Sequence, residues 1–302
     1  MYRVFAGTAN PALAQSIARE LAVEPGRCTF ERFPDGETRV HLEESVREQQ
    51  VIFVQPTSPP VNDHLMELVA FADACRRGGA AGIIGVVPYF GYARADTSTD
   101  QSEPIMARFA ADMLQAAGLT RILTVDPHTP QLEGFFRIPL HALSAVETFY
   151  GVLQDRLPAN AVVVSPDLGR VETAAEFGDH FDLPVAALHK RRVSGAQVEM
   201  VQVIGNVRGR SCLIVDDMIS TGSTIVQAMH TLQAAGSLPD FIIAATHGVF
   251  VERAREALST TGVHEIWITD SIAQKHDNWT ELRVVSIAPL IAKALASLHA
   301  SH

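Results

Sequence analysis

Short runs of Val and Ile, four to six residues long and without polar alternation, recur along this chain, each followed by a longer stretch of helical periodicity. They read "VIFV" at 51–54, "GIIGVV" at 82–87, "RILTV" at 121–125, "AVVV" at 161–164, "CLIV" at 212–215 and "FIIAA" at 241–245. A run with no polar side suits a strand covered on both faces, and strands of that kind belong to parallel sheets. The periodic segments between them, such as "VNDHLMELVAFADACRRGG" after the first, are then the crossover helices. The fold class expected is therefore α/β.

A second regularity divides the chain. "LQAAGLTRILTVDPH" at 114–128 and "LQAAGSLPDFIIAATH" at 232–247 share a helix end closed by glycine, a strand, and a histidine at nearly the same offset. Gly118 and Gly236 read as helix-terminating glycines, and His128 and His247 fall just past a strand's carboxyl end. The repeat predicts two similar α/β domains, 1–147 and 148–302; a last helix at about 289–300 is a candidate to pack on the N-terminal domain. Ligands of open parallel sheets bind outside the strands' carboxyl ends. That rule directs attention to the loops at 88–103, 126–134, 165–172 and 216–224.

Composition narrows the ligand. With 24 basic against 34 acidic residues and a net charge of −10, a generic nucleic-acid surface is not expected, and an anionic ligand would need local cations. Three cysteines, Cys28, Cys75 and Cys212, show neither disulfide nor zinc spacing and suit a reducing compartment. The N-terminus reads as strand, turn and helix rather than as a signal peptide. The most apolar stretch, 80–93, is broken by Pro88 and falls short of the roughly 20 residues that cross a bilayer. A cytoplasmic protein without a membrane span is expected.

The stretch "CLIVDDMISTGST" at 212–224 carries the chemistry. If "CLIV" is a buried strand and "STIVQAMHTLQAAG" a helix, "DDMISTGST" is the connecting loop. Gly222 permits close backbone approach. The amides at the helix start, with the hydroxyls of Ser220, Thr221, Ser223 and Thr224, form a cradle for a phosphate dianion. Asp216 and Asp217 would repel that phosphate and suit sugar hydroxyls or a magnesium ion instead. A sugar phosphate answers both halves. No lysine follows the glycine, so this is not a Walker-type nucleotide loop.

This loop resembles the phosphoribosyl pyrophosphate loop of type I phosphoribosyltransferases and of ribose-phosphate pyrophosphokinases. The blocks "FPDGE" (33–37), "NDHLMEL" (62–68), "PYFGYARAD" (88–96), "TVDPHTPQLEGFF" (124–136), "VSPDLG" (164–169), "KRR" (190–192) and "THGVF" (246–250) extend the resemblance to the second family along essentially the whole chain. The resemblance implies two phosphoribosyltransferase-like domains. It also implies transfer of the diphosphoryl group of ATP to the 1-hydroxyl of ribose 5-phosphate, with Mg²⁺ as cofactor. Lys190 and Arg192 would be the catalytic cations, in a segment whose lack of apolar period suits a mobile loop. His128 and Asp167 would hold the metal, His128 also lying at the ATP site. Asp167, Asp216, Asp217 and residues 220–224 would bind ribose 5-phosphate. Phe33, Asp35 and Glu37, in a hairpin-like turn, would reach the adenine of a neighbouring subunit's ATP, and Arg94 the nucleotide in its own chain. A homo-oligomer is implied, a dimer or larger assembly up to a hexamer.

The chain departs from the common family pattern in three places. Ala95 stands where glutamine is usual, and no Lys or Arg lies between Arg94 and Arg108. "LGRVETA" follows "SPD" in place of paired glycines and basic residues, and Ser220 replaces a common aspartate. Two alternatives accompany the main reading: a non-catalytic regulatory paralogue, which would not need the charged set, and a phosphoribosyltransferase, which would not need the N-terminal half.

Overall fold

The computed structural model describes residues 2–300 apart from 99, 101, 193–198, 252 and 275–277. It divides into two compact units: one formed by 2–144 with 271–273 and 286–300, the other by 145–270 with 274–285.

The first unit runs β1 (Tyr2–Ala6), α1 (Pro11–Glu20), β2 (Cys28–Arg32), β3 (Thr38–Leu42), β4 (Gln50–Val54), α2 (Val61–Arg77), β5 (Gly82–Val86), α3 (Met106–Ala117), β6 (Arg121–Val125), α4 (Gln131–Phe135) and β7 (Leu140–Leu143). Its sheet is parallel throughout, in the order β1-β4-β5-β6-β7. Val51, Ile52, Phe53 and Val54 are all fully buried, which explains a strand with no polar side. Phe71 of α2 stacks on Phe53 at 3.8 Å and tilts against Phe5 at 5.3 Å, anchoring one face of the sheet. The helix α1 starts where the Asn10 carboxamide accepts the Leu13 amide at 3.1 Å, with Pro11 in its first turn. It buries Leu13, Ala14, Ile17 and Ala18 outside the Phe71 cluster.

β2 and β3 form a separate antiparallel ribbon. Cys28, Phe30, Val40 and Leu42 pack on the core, while Thr29, Glu31, Arg39 and His41 face outward, the alternation of a half-covered ribbon.

The second unit runs α5 (Val146–Leu153), β8 (Val162–Ser165), a 3₁₀ turn (Leu168–Arg170), α6 (Val171–Phe181), β9 (Val185–Arg192), β10 (Glu199–Ile204), β11 (Cys212–Ile219), α7 (Ser223–Ala234), β12 (Phe241–Gly248), α8 (Ala254–Ser259), β13 (Glu265–Thr269) and β14 (Leu282–Val285). Its sheet has the order β10-β9-β8-β11-β12-β13-β14, parallel except for the β9–β10 pair. The chain moves from β8 to one side and returns to pair β11 on the other, so the strand order reverses between β8 and β11. The helices follow that reversal. Ile225, Ala228, Met229 and Leu232 of α7 share a core with Val162, Val164 and Ile214. Phe177 of α6 lies outside that core and packs on Phe149 of α5. The last helix, α9 (Ala288–Ala300), returns to the first unit and packs on α1.

Gly118 (φ 118°) and Gly236 (φ 91°) follow α3 and α7 in the left-handed conformation that closes a helix. Two expectations are corrected. β11 continues to Ile219 because its pairing with β12 persists through Asp216–Ala245 and Ile219–Gly248, so the acid pair lies on a strand and not in a loop. For the same reason His247 is the penultimate residue of β12 rather than beyond it.

Candidate active site

The carboxyl ends of β8 and β11, on either side of the order reversal, bring Asp167, Arg170, Asp216 and Asp217 together. Asp167 ends the turn after β8, where its carboxylate accepts the Gly169 amide at 2.8 Å and caps the 3₁₀ turn. That cap sets the direction in which Arg170 leaves the backbone. The Arg170 Nη2 lies 2.9 Å from Asp217 Oδ2. Asp216 Oδ1 accepts the Asp217 amide at 2.9 Å. Burial pushes the Asp216 carboxyl well above the usual carboxylate range, the Asp217 charge and hydrogen bond and then the Asp167 charge add to this, and Arg170 opposes it. A group in that state gains from any ligand that donates hydrogen bonds to its ionised form, as a vicinal diol does.

After β11 the loop is only Ser220, Thr221 and Gly222 before α7 begins. Gly222 has φ 79°, and a β-carbon there would lie 3.1 Å from Leu258, so both backbone and space call for glycine. α7 has no side-chain cap and no acidic residue in its first turn. Its opening amides and positive dipole end therefore suit an anion. Thr221 Oγ1 and Ser223 Oγ sit 2.9 Å apart at this entrance. The far side of the loop is fixed by amides of Val249, Phe250 and Val251 donating to the carbonyls of Ile219 and Ser220.

Lys190 and Arg192 stand on β9, opposite Val201 and Glu199 of β10. Pairing with β10 places them on a strand, which corrects the expected mobile loop at these two positions; residues 193–198 of that segment lie outside the described residues.

The remaining candidates belong to the first unit. Phe33, Asp35 and Glu37 form the turn of the ribbon: the Phe33 amide donates to the Glu37 carbonyl at 2.8 Å, Glu37 donates to the Asp35 carboxylate at 3.1 Å, and Gly36 takes φ 94°. Phe33 is exposed at the tip. Arg32, at its base, pairs with Asp63 of α2 at 2.5 Å. Arg94 is exposed on the turn after β5. The Thr57 hydroxyl, accepting the Gly91 amide at 2.6 Å, and the Tyr92–Asn62 hydrogen bond brace that turn. His128 is half-buried just after β6, next to Asp126, whose φ is 36°. Among the described residues no three His, Cys, Asp or Glu side chains converge as a metal cage.

Residues 2–118 match the family described as the N-terminal domain of ribose phosphate pyrophosphokinase, and 191–302 the phosphoribosyl synthetase-associated domain. The ribose-phosphate pyrophosphokinase of Corynebacterium efficiens is 41% identical over 299 residues, covering 98% of this chain and 92% of its own. That of Thermotoga maritima is 41% identical over 297 residues, 97% of this chain and 93% of its own. The chain belongs to the ribose-phosphate pyrophosphokinase family. A crystal structure of phosphoribosylpyrophosphate synthetase from Mycobacterium smegmatis superposes with a TM-score of 0.89 at 38% identity, covering 100% of this chain and 99% of that one. Within the family frame, the sequence motifs passed over Arg170. Its only signal was a lone arginine directly after "SPDLG", and the partner that gives it meaning, Asp217, is on β11.

Proposed function

We propose that this chain is a ribose-phosphate diphosphokinase of nucleotide biosynthesis. The 1-hydroxyl oxygen of ribose 5-phosphate attacks the β-phosphorus of ATP and gives up its proton to solvent, the bond from that phosphorus to the α–β bridging oxygen breaks, and AMP leaves with the electron pair. The observation that carries this reading is the acid pair near the end of β11 followed, across a three-residue loop, by the start of α7, which has no side-chain cap, in a chain related to its family over both units. An acid pair without a helix start would suit a metal, and a helix start without acids any phosphate; together they fit a sugar phosphate.

In this reading Ser220, Thr221, Gly222, Ser223 and Thr224 hold the 5-phosphate, and the acid pair with Asp167 faces the ribose. Arg94 and His128 attend the nucleotide of their own chain. The exposed Phe33–Glu37 turn serves the adenine of a second copy, so the active species is a homo-oligomer. Lys190 and Arg192 neutralise charge that grows on the transferring phosphoryl oxygens. Magnesium, when bound, would neutralise the triphosphate; His128 in the first unit and Asp167 in the second each carry a donor suited to it. Few protein ligands suit this ion, which keeps waters and leans on substrate phosphates. Burial pushes the thiols of Cys28 and Cys75 up to about 12 and that of Cys212 to about 11, which keeps them protonated and unreactive. Among the described residues no helix is long and apolar enough to cross a membrane.

Incubation with ATP, Mg²⁺ and ribose 5-phosphate should yield AMP and phosphoribosyl pyrophosphate in equal amounts. Formation of ADP instead, or of neither product, would overturn the assignment.

A further inference from the structure

The Arg170–Asp217 contact is the least exposed ion pair among the described residues, with 12% and 4% of the two side chains accessible. Buried charges of this kind persist only when paired, and truncating one partner strands the other. Position along β11 gives Asp217 packing surroundings different from those of Asp216. Successive strand residues face opposite sides of a sheet. Cys212 and Ile214 belong to the α7 core, and Asp216 continues their side, level with Ala245 of the same core. Asp217 falls on the other side and meets Arg170 at the entry to α6.

We infer that Arg170 is a positioning residue for the sugar-phosphate site. By pairing with Asp217 from the α6 side, it fixes one member of the acid pair that faces the ribose and balances its charge, while Asp216 lies on the face where α7 begins. The inference rests on the diphosphokinase reading for the identity of the ligand. Without Arg170, the two neighbouring acids at the mouth of the site would lose the cation that pairs with Asp217. Asp217 would then turn toward the space that the phosphate needs.

The test is a double-mutant cycle on Arg170→Met, Asp217→Asn and the double variant. Ribose 5-phosphate binding is read by calorimetry, KM for each substrate by turnover, and integrity by thermal melting. Arg170→Met should weaken ribose 5-phosphate about tenfold or more while KM for ATP stays within about twofold. The double variant should bind within about twofold of Asp217→Asn alone, because the stranded charge is gone. Arg170→Lys should retain binding within about threefold, since it keeps the charge and loses only the guanidinium geometry. Should Arg170→Met fail to melt cooperatively, Arg170→Gln takes its place in the cycle. Unchanged sugar binding, equal shifts in both KM values, or single losses that multiply in the double variant would each overturn the role. A wild-type chain that binds ribose 5-phosphate but makes no product contradicts the diphosphokinase reading alone, because the calorimetric cycle is still scored.

Discussion

The two sheets are alike from one middle strand outward and different on its other side. β5-α3-β6-α4-β7 and β11-α7-β12-α8-β13 have the same plan, down to the glycines that close α3 and α7. Beyond β5 the first sheet continues through β4 to β1 without a change of direction, and its extra ribbon stays off the sheet. Beyond β11 the second sheet meets β8, whose chain leaves the other way to β9 and β10. A reversal sends α6 and α7 to opposite faces and opens a crevice at the strand ends. The carboxylates, Arg170 and the uncapped helix start gather there. The first sheet lacks the reversal, and its candidates sit at the ribbon tip and in the segments after β5 and β6. A duplicated plan thus offers two kinds of candidate site: one built into the sheet, which we assign to the sugar phosphate, and one carried on loops, which we assign to the nucleotide.

The largest expected effect concerns strand β9, which lies on the far side of the reversal from β11. Lys190→Ala and Arg192→Ala should each lower kcat by about 10²-fold or more with KM for ATP little changed, as expected for groups that act on developing charge. Equal losses in ground-state ATP binding would remove that role.

A crossed comparison of the units comes next. Asp216→Asn should raise KM for ribose 5-phosphate about tenfold and leave that for ATP nearly unaltered, whereas Arg94→Ala should do the reverse. If either variant shifts both constants together, the division of labour fails.

Glycines give a smaller test by thermal melting. Gly222→Ala, forced to φ 79° against Leu258, should cost about 1–2 kcal/mol. Gly151→Ala in α5, where a β-carbon meets nothing within 4 Å, should be neutral or stabilise by up to about 1 kcal/mol. Equal effects would mean that the loop after β11 is no more constrained than an ordinary helix surface.

The smallest effect is a slope. The Asp216 carboxyl is raised in the folded state, first by burial and then by Asp217. Its contribution to stability is therefore complete below the unfolded value of about 3.9 and is lost as pH rises through the higher folded value. Without ligand or magnesium, the wild type should lose melting temperature relative to Asp216→Asn over that rise. Parallel profiles would argue against the raised carboxyl.

Much of this was legible in the residues. Unalternated apolar runs located the core strands, and left-handed glycines located the ends of α3 and α7, because burial and backbone conformation are local demands. The candidate loops followed from the carboxyl-end rule. The strand-order reversal was not legible, since it depends on β8 pairing with strands from two distant segments. Nor was the extension of β11 through Asp216 and Asp217, where the ladder with β12 outweighs the poor strand preference of aspartate. Lys190 and Arg192 read as a loop for the same reason: their strand is imposed by β10. Arg170 carried no motif, and its meaning comes only from the carboxylate opposite.

Hydrogen exchange with sequential ligands tests the central claim most directly. Addition of α,β-methylene-ATP with magnesium should protect amides in 33–37 and 88–96, and ribose 5-phosphate added second should protect 165–172 and 216–226. Protection by the sugar phosphate in the loops of the first unit, with none in 216–226, would contradict the assignment of the two sites.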